Sequence, residues 1–106
     1  MIVSPYVLVI AAQLAQRVAA PQLNVAPSCR ASSSLDPVNG QNFTICMRDE
    51  TEAHDQLAKN WAGYSAMARS RCSAEVRIGG DPSYVELLEC LEMDKTASQI
   101  ESRGAN

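Results

Sequence analysis

The sequence predicts an all-α domain: an antiparallel helical hairpin with an irregular N-terminal segment, stapled by disulfides. Three observations predict it. Apolar and small residues recur at helical spacing between Cys46 and Cys72. A second stripe, Tyr84, Leu87, Leu88 and Leu91, follows a short break at Gly79-Gly80-Asp81-Pro82. Four cysteines, Cys29, Cys46, Cys72 and Cys90, all lie downstream of an apolar N-terminus. A chain of 106 residues gives one domain as the prior. A domain this small buries a limited fraction of its surface, so crosslinks commonly supplement its core.

The N-terminal residues Tyr6 to Ala15 read YVLVIAAQLA, followed by Val18-Ala19-Ala20. A short apolar run closed by small residues is the pattern of an export leader. No Lys or Arg precedes the run, and Pro21 directly follows Ala20, an unfavourable residue after a cleavage point. Ala26 is an alternative end, with Pro27 raising the same objection. The bland alternative is a buried N-terminal helix. Gln13, Gln16 and Arg17 break the run, which falls short of the roughly 20 apolar residues needed to cross a bilayer. No stable membrane span is therefore expected after leader removal. The resulting division is residues 1–26 as leader and linker, 27–97 as the disulfide-bonded helical domain, and 98–106 as a flexible polar tail. Pro21, Pro27, Pro37 and Asn39-Gly40 argue against long regular structure between Pro21 and Gly40.

The first helix is expected over about 44–76. Its apolar or small positions are Cys46, Ala53, Leu57, Trp61, Tyr64, Ala68 and Cys72. After an initial gap of seven they step by four, four, three, four and four, which traces one helical face. Asp49, Glu50, Glu52 and Asp55 precede Arg69, Arg71 and Arg77, an order that complements the helix dipole. Arg48–Glu52 and Asp55–Lys59 have the i,i+4 spacing of ion pairs. Gly63 is a soft spot for a bend. Gly79 or Gly80 can end this helix in a left-handed conformation. The second helix is expected over about 82–97, capped by Asp81 with Pro82 at its first position, or by a competing box of Ser83 and Glu86.

Cys46 and Cys72 share a face but are separated by roughly 39 Å along a straight helix, too far to bond. Across the hairpin Cys90 lies near the level of Cys72. The simplest connectivity is Cys29–Cys46 and Cys72–Cys90, each closing a loop worth roughly 3 kcal/mol in the chain-entropy model. A Cys29–Cys90 or Cys46–Cys90 bond would need a strong bend or a different hairpin. A zinc site is the weaker reading, because 16, 25 and 17 residues separate successive cysteines and no close pair occurs. The same lack of a close pair argues against a redox enzyme.

The formal charge of −3 and the absence of a basic run exclude nucleic acid as the expected partner. An acidic domain suits a basic protein partner. His54 is the single histidine, beside Asp55, and reads as a surface residue because no nucleophile accompanies it. Glu86, Glu89 and Glu92 form a partial acidic stripe, a solvated face or a site for a cation or a basic partner. Trp61, Tyr64 and Tyr84 are expected core anchors. Asn42-Phe43-Thr44 matches a glycosylation tripeptide of the kind that recurs by chance. No cofactor, metal or catalytic residue is assigned.

The stretch from Cys46 through Glu50, His54, Asp55 and Leu57 to Trp61 and Tyr64, with Arg71-Cys72 and Cys90-Leu91, resembles small exported lysozyme-inhibitor-like (LprI-type) domains. The likeness runs from about Cys29 to Met93. It departs in a longer Cys29–Cys46 gap, and in Asp55-Gln-Leu57 where an Asp-x-x-Leu pattern is expected. The block Ser83 to Met93 resembles other exported bacterial proteins. The resemblance implies a periplasmic or secreted helical module that inhibits a cell-wall-active enzyme. The alternatives are a non-catalytic structural or envelope-stress protein, and a metal-binding or redox protein.

Overall fold

The computed structural model describes residues 19–35 and 42–104. Among them the protein is all-α, with helices α1 (Ala26–Leu35), α2 (Phe43–Asn60), α3 (Ala66–Glu75) and α4 (Tyr84–Gly104). A single 3-10 turn, Trp61–Gly63, joins α2 to α3. Most of the segment expected to form the leader, residues 1–18, lies outside the described residues.

Helix α1 is a departure from the irregular segment expected there. Pro27 is compatible with it because it occupies the first turn, where a missing N–H leaves no helical bond unmade. The Cys29 N–H donates to the Val25 carbonyl at 3.1 Å, tying the first turn of the helix to the residue before it. Pro37 and Asn39-Gly40 lie outside the described residues.

The expected first helix is in fact two. Asn42 starts α2, its Oδ1 accepting from the Ile45 N–H at 2.9 Å. The helix ends at Asn60, and the Tyr64 N–H closes the 3-10 turn onto the Trp61 carbonyl at 3.3 Å. Tyr64 and Ser65 are extended, with ψ near 149° in both, and the Ser65 hydroxyl caps α3 by accepting from the Ala68 N–H at 3.1 Å. A serine that can cap, preceded by Gly63, makes the restart cheaper than continuation. The break separates the charges that the sequence order would align with one dipole: the acidic residues belong to α2 and Arg69 and Arg71 to α3. Arg48 pairs with Asp49 at 3.2 Å, on the adjacent residue and not one turn on.

The predicted face survives the break. Cys46, Ala53, Leu57, Trp61, Tyr64, Ala68 and Cys72 are all buried. All of these but Cys46 pack with Tyr84, Leu87 and Leu91 of α4 into one core, completed by Val76 and Val25. The α3–α4 turn uses Gly79 at φ +78°, a conformation that costs a side-chain-bearing residue roughly 1–2 kcal/mol. Helix α4 begins at Tyr84, later than the expected Pro82, and continues to Gly104 through most of the stretch read as a flexible tail. The Ser83 hydroxyl accepts from the Glu86 N–H at 3.3 Å, so Ser83 caps the helix in place of Asp81.

The disulfides join Cys29 to Cys46 and Cys72 to Cys90, with Cα–Cα distances of 5.5 and 5.8 Å. The first links α1 to α2 and the second links α3 to α4. Among the described residues no helix is long and apolar enough to cross a membrane.

The segment before α1, read as linker, is part of the packed domain. Val25 is buried, Ala20 and Leu23 pack against the core, and the Leu23 N–H donates to the Tyr84 hydroxyl at 2.7 Å. A chain beginning at Pro27 therefore loses a buried valine and a tertiary hydrogen bond that one beginning at Pro21 retains. Urea unfolding of the two forms is expected to show the shorter less stable by about 2 kcal/mol.

Candidate functional site

The site is built around α4, whose start is fixed by a residue of α2. Between Cys46 and Ala53 the apolar face has a gap of seven, and Glu50 occupies the intervening position. It is 3% exposed. Its carboxylate accepts from the Ser83 hydroxyl at 2.5 Å and from the Tyr84 N–H at 2.6 Å. A negative group at the first turn of α4 satisfies a backbone donor that the helix itself cannot and complements the positive end of its dipole. Its second oxygen takes the capping hydroxyl, so both oxygens have a partner, as burial of a carboxylate demands.

Tyr84 extends this arrangement. Its ring lies 4.4 Å from that of His54, one turn after Glu50 on α2, and its hydroxyl receives the Leu23 N–H. His54 is thus half-buried, its ring tilted 38° against that of Tyr84, not the solvated side chain expected from its charged neighbours. Trp61 and Tyr64 are buried as expected, while Tyr84 makes its ring contact with His54.

Beyond this polar joint, α4 presents Glu86 and Glu89, both exposed, between two grooves. The groove toward α1 and α2, about 480 Å³, is lined by Asp49, Glu50, Ser28 and Ser32 as well as Glu86 and Glu89. The groove toward α3, also about 480 Å³, adds Glu75 and Asp94 to the same two glutamates. Arg71 is its one cationic lining residue, and it is committed, reaching Asp94 at 2.6 Å and Glu75 at 3.9 Å. Asp94 holds the Arg71 pKa above its ordinary value, through the hydrogen bond first and its charge second. Three helices besides α4 thus border one acidic face.

Glu92 does not belong to that face. A step of three residues turns a side chain about 60° back around a helix, so a stripe at i, i+3 and i+6 winds away from its origin. Glu92 instead accepts a hydrogen bond from the Tyr64 hydroxyl. Burial, that hydrogen bond and the Glu92 charge, in that order, raise the Tyr64 pKa from 10.0 to about 12. Lys95 lies 6.0 Å from the Tyr64 ring and Arg69 5.9 Å from the Trp61 ring.

The four cysteines are brought together in pairs and not as one cluster. Among the described residues no group of three or more His, Cys, Asp or Glu side chains is arranged to hold a metal ion. The sequence places Glu50 only among the acidic residues that complement a helix dipole. The gap of seven in the apolar stripe was the available signal, since the missing position must face the core whatever occupies it. Asp49, Glu75 and Asp94 join the acidic face only through helix packing. Comparison with protein-family models, with curated proteins and with solved structures finds no match.

Two measurements check this description. Glu50→Ala should destabilise the domain by about 2–3 kcal/mol in urea unfolding, because it strips a buried hydroxyl and a helix N–H of their acceptor. Glu50→Gln keeps an acceptor and should cost less. For Tyr64, the raised folded pKa means that its contribution to stability is complete below pH 10.0 and is lost as the pH rises toward about 12. Phenolate absorbance should show one tyrosine titrating near the upper value, and Tyr64→Phe should remove that step.

Proposed function

We propose that the protein is an exported, non-catalytic binding module whose partner is a basic protein, with a cell-wall-active enzyme such as a lysozyme as the sharpest form of the reading. One observation carries it: Glu86 and Glu89 stand between two grooves that are each lined with further carboxylates, so that side chains from several helices build one contiguous negative surface. Such a surface steers a cationic partner and sets its orientation. Two disulfides in a small domain are compatible with a compartment outside the reducing cytosol, and they support periplasmic or secreted residence. The expected likeness to lysozyme-inhibitor-like domains supports the choice of enzyme class.

The structural or envelope-stress alternative anticipates a surface without a contiguous charged patch, and the acidic face weighs against it. The metal alternative anticipates clustered thiolates, whereas the sulfurs are bonded in two pairs.

The binding reading is tested by titrating the purified protein against a basic lysozyme and measuring both complex formation and protection of a cell-wall suspension. Binding in the micromolar range or tighter is expected, weakening steeply as salt rises. A Glu86→Gln/Glu89→Gln variant should bind about tenfold more weakly, mainly through a slower association rate. No complex with any basic cell-wall hydrolase at micromolar protein would remove the reading.

A further inference from the structure

Each disulfide has one fully enclosed cysteine and one that lines an acidic groove. Cys29 and Cys72 are both 0% exposed, whereas Cys46 is 8% exposed and lines the groove shared with Asp49, and Cys90 is partly exposed and lines the groove shared with Glu75 and Asp94. Glu86 and Glu89 border both grooves, and so line the approach to both groove-lining cysteines. A Glu75 oxygen lies 3.4 Å from the Cys90 sulfur, a contact and not a hydrogen bond, because a bonded disulfide sulfur carries no proton.

From this arrangement we infer that the acidic face is an electrostatic shield that selects, by charge, which thiols can reduce the protein's disulfides. Reduction requires a thiolate to strike a disulfide sulfur in line with the S–S bond. Its sulfur forms a new bond to Cys90, the Cys72 sulfur leaves with the electron pair, and a second thiolate then attacks the mixed disulfide to release Cys90. The thiol is oxidised and the protein disulfide reduced, two electrons in all. The same course at the other bond begins on Cys46 and expels Cys29. Every attacking thiolate is negative and must approach through a groove lined with carboxylates. A thiol with a second negative charge is repelled further, while one with an ammonium group is compensated. Attack from the other side is closed, because Cys29 and Cys72 are enclosed, and expelling a charged sulfur into an apolar core adds to the resistance. Cys90, the more open sulfur, is the first point of entry. The inference concerns the small-molecule redox behaviour of the protein alone and holds or fails without any protein partner.

The test is the rate of reduction of the oxidised full chain by cysteamine, 2-mercaptoethanol and 3-mercaptopropionate. Rates are expressed per thiolate and divided by the same rates for the chain unfolded in urea, which removes intrinsic differences among the thiols. In the folded protein the cationic thiol should exceed the anionic one by about fivefold or more after this correction, with the neutral thiol between them. High salt should compress the ratio. Glu86→Gln/Glu89→Gln, two exposed positions, should move it toward unity with unchanged circular dichroism. Trapped mixed disulfides should map to Cys90 first and Cys46 second. A ratio near unity in the folded chain, a rate independent of thiol concentration, or adducts on Cys72 or Cys29 would each overturn the shield.

Discussion

A buried carboxylate holds this molecule in register. Neither disulfide joins α2 to α4: one lies within the α1–α2 pair and the other within the α3–α4 pair. The two covalently closed halves meet through an apolar core and through Glu50, which reaches from α2 to the first turn of α4. Apolar contacts are tolerant of small slides, whereas a carboxylate that must satisfy one hydroxyl and one amide is not. The Tyr84 ring, set by that first turn, then positions His54 on one side and receives Leu23 on the other. Position along α4 determines where Cys90 meets Cys72 and where Glu86 and Glu89 emerge between the grooves.

Much of the fold was legible because burial follows periodicity. Each of the seven positions assigned to the first face is buried, although the helix that was meant to carry them is interrupted. The face persists because a single 3-10 turn and a two-residue extension redirect the backbone while Trp61, Tyr64 and Ala68 still point to the core. The interruption itself depends on Ser65 serving as a cap, a role that a serine after glycine permits without requiring. Helix α1 was obscured by Pro27, whose residue type signals a breaker but whose place in the first turn makes it harmless.

The polar features were harder to read, for a common reason. Glu50 is exceptional because it is charged on an apolar face, and local composition placed it among neighbours that are solvated. Only its donors, thirty-odd residues away in sequence, make its burial tolerable. The acidic face has the same character. Glu86 and Glu89 were evident as part of a stripe, but Glu75, Asp94 and Asp49 reach them through the packing of separate helices. Glu92 winds away from the stripe with the turn of the helix and meets the Tyr64 hydroxyl, which comes from a turn where the periodicity predicts helix.

The order of the crosslinks along the chain has a consequence for how the molecule matures. The first cysteine bonds the second, and the third bonds the fourth. A chain entering an oxidising compartment N-terminus first would meet each correct partner before any wrong one, so vectorial translocation alone would produce the native pattern. Under that condition no shuffling by an isomerase would be needed, and a simple dithiol oxidase would suffice to complete the pairing.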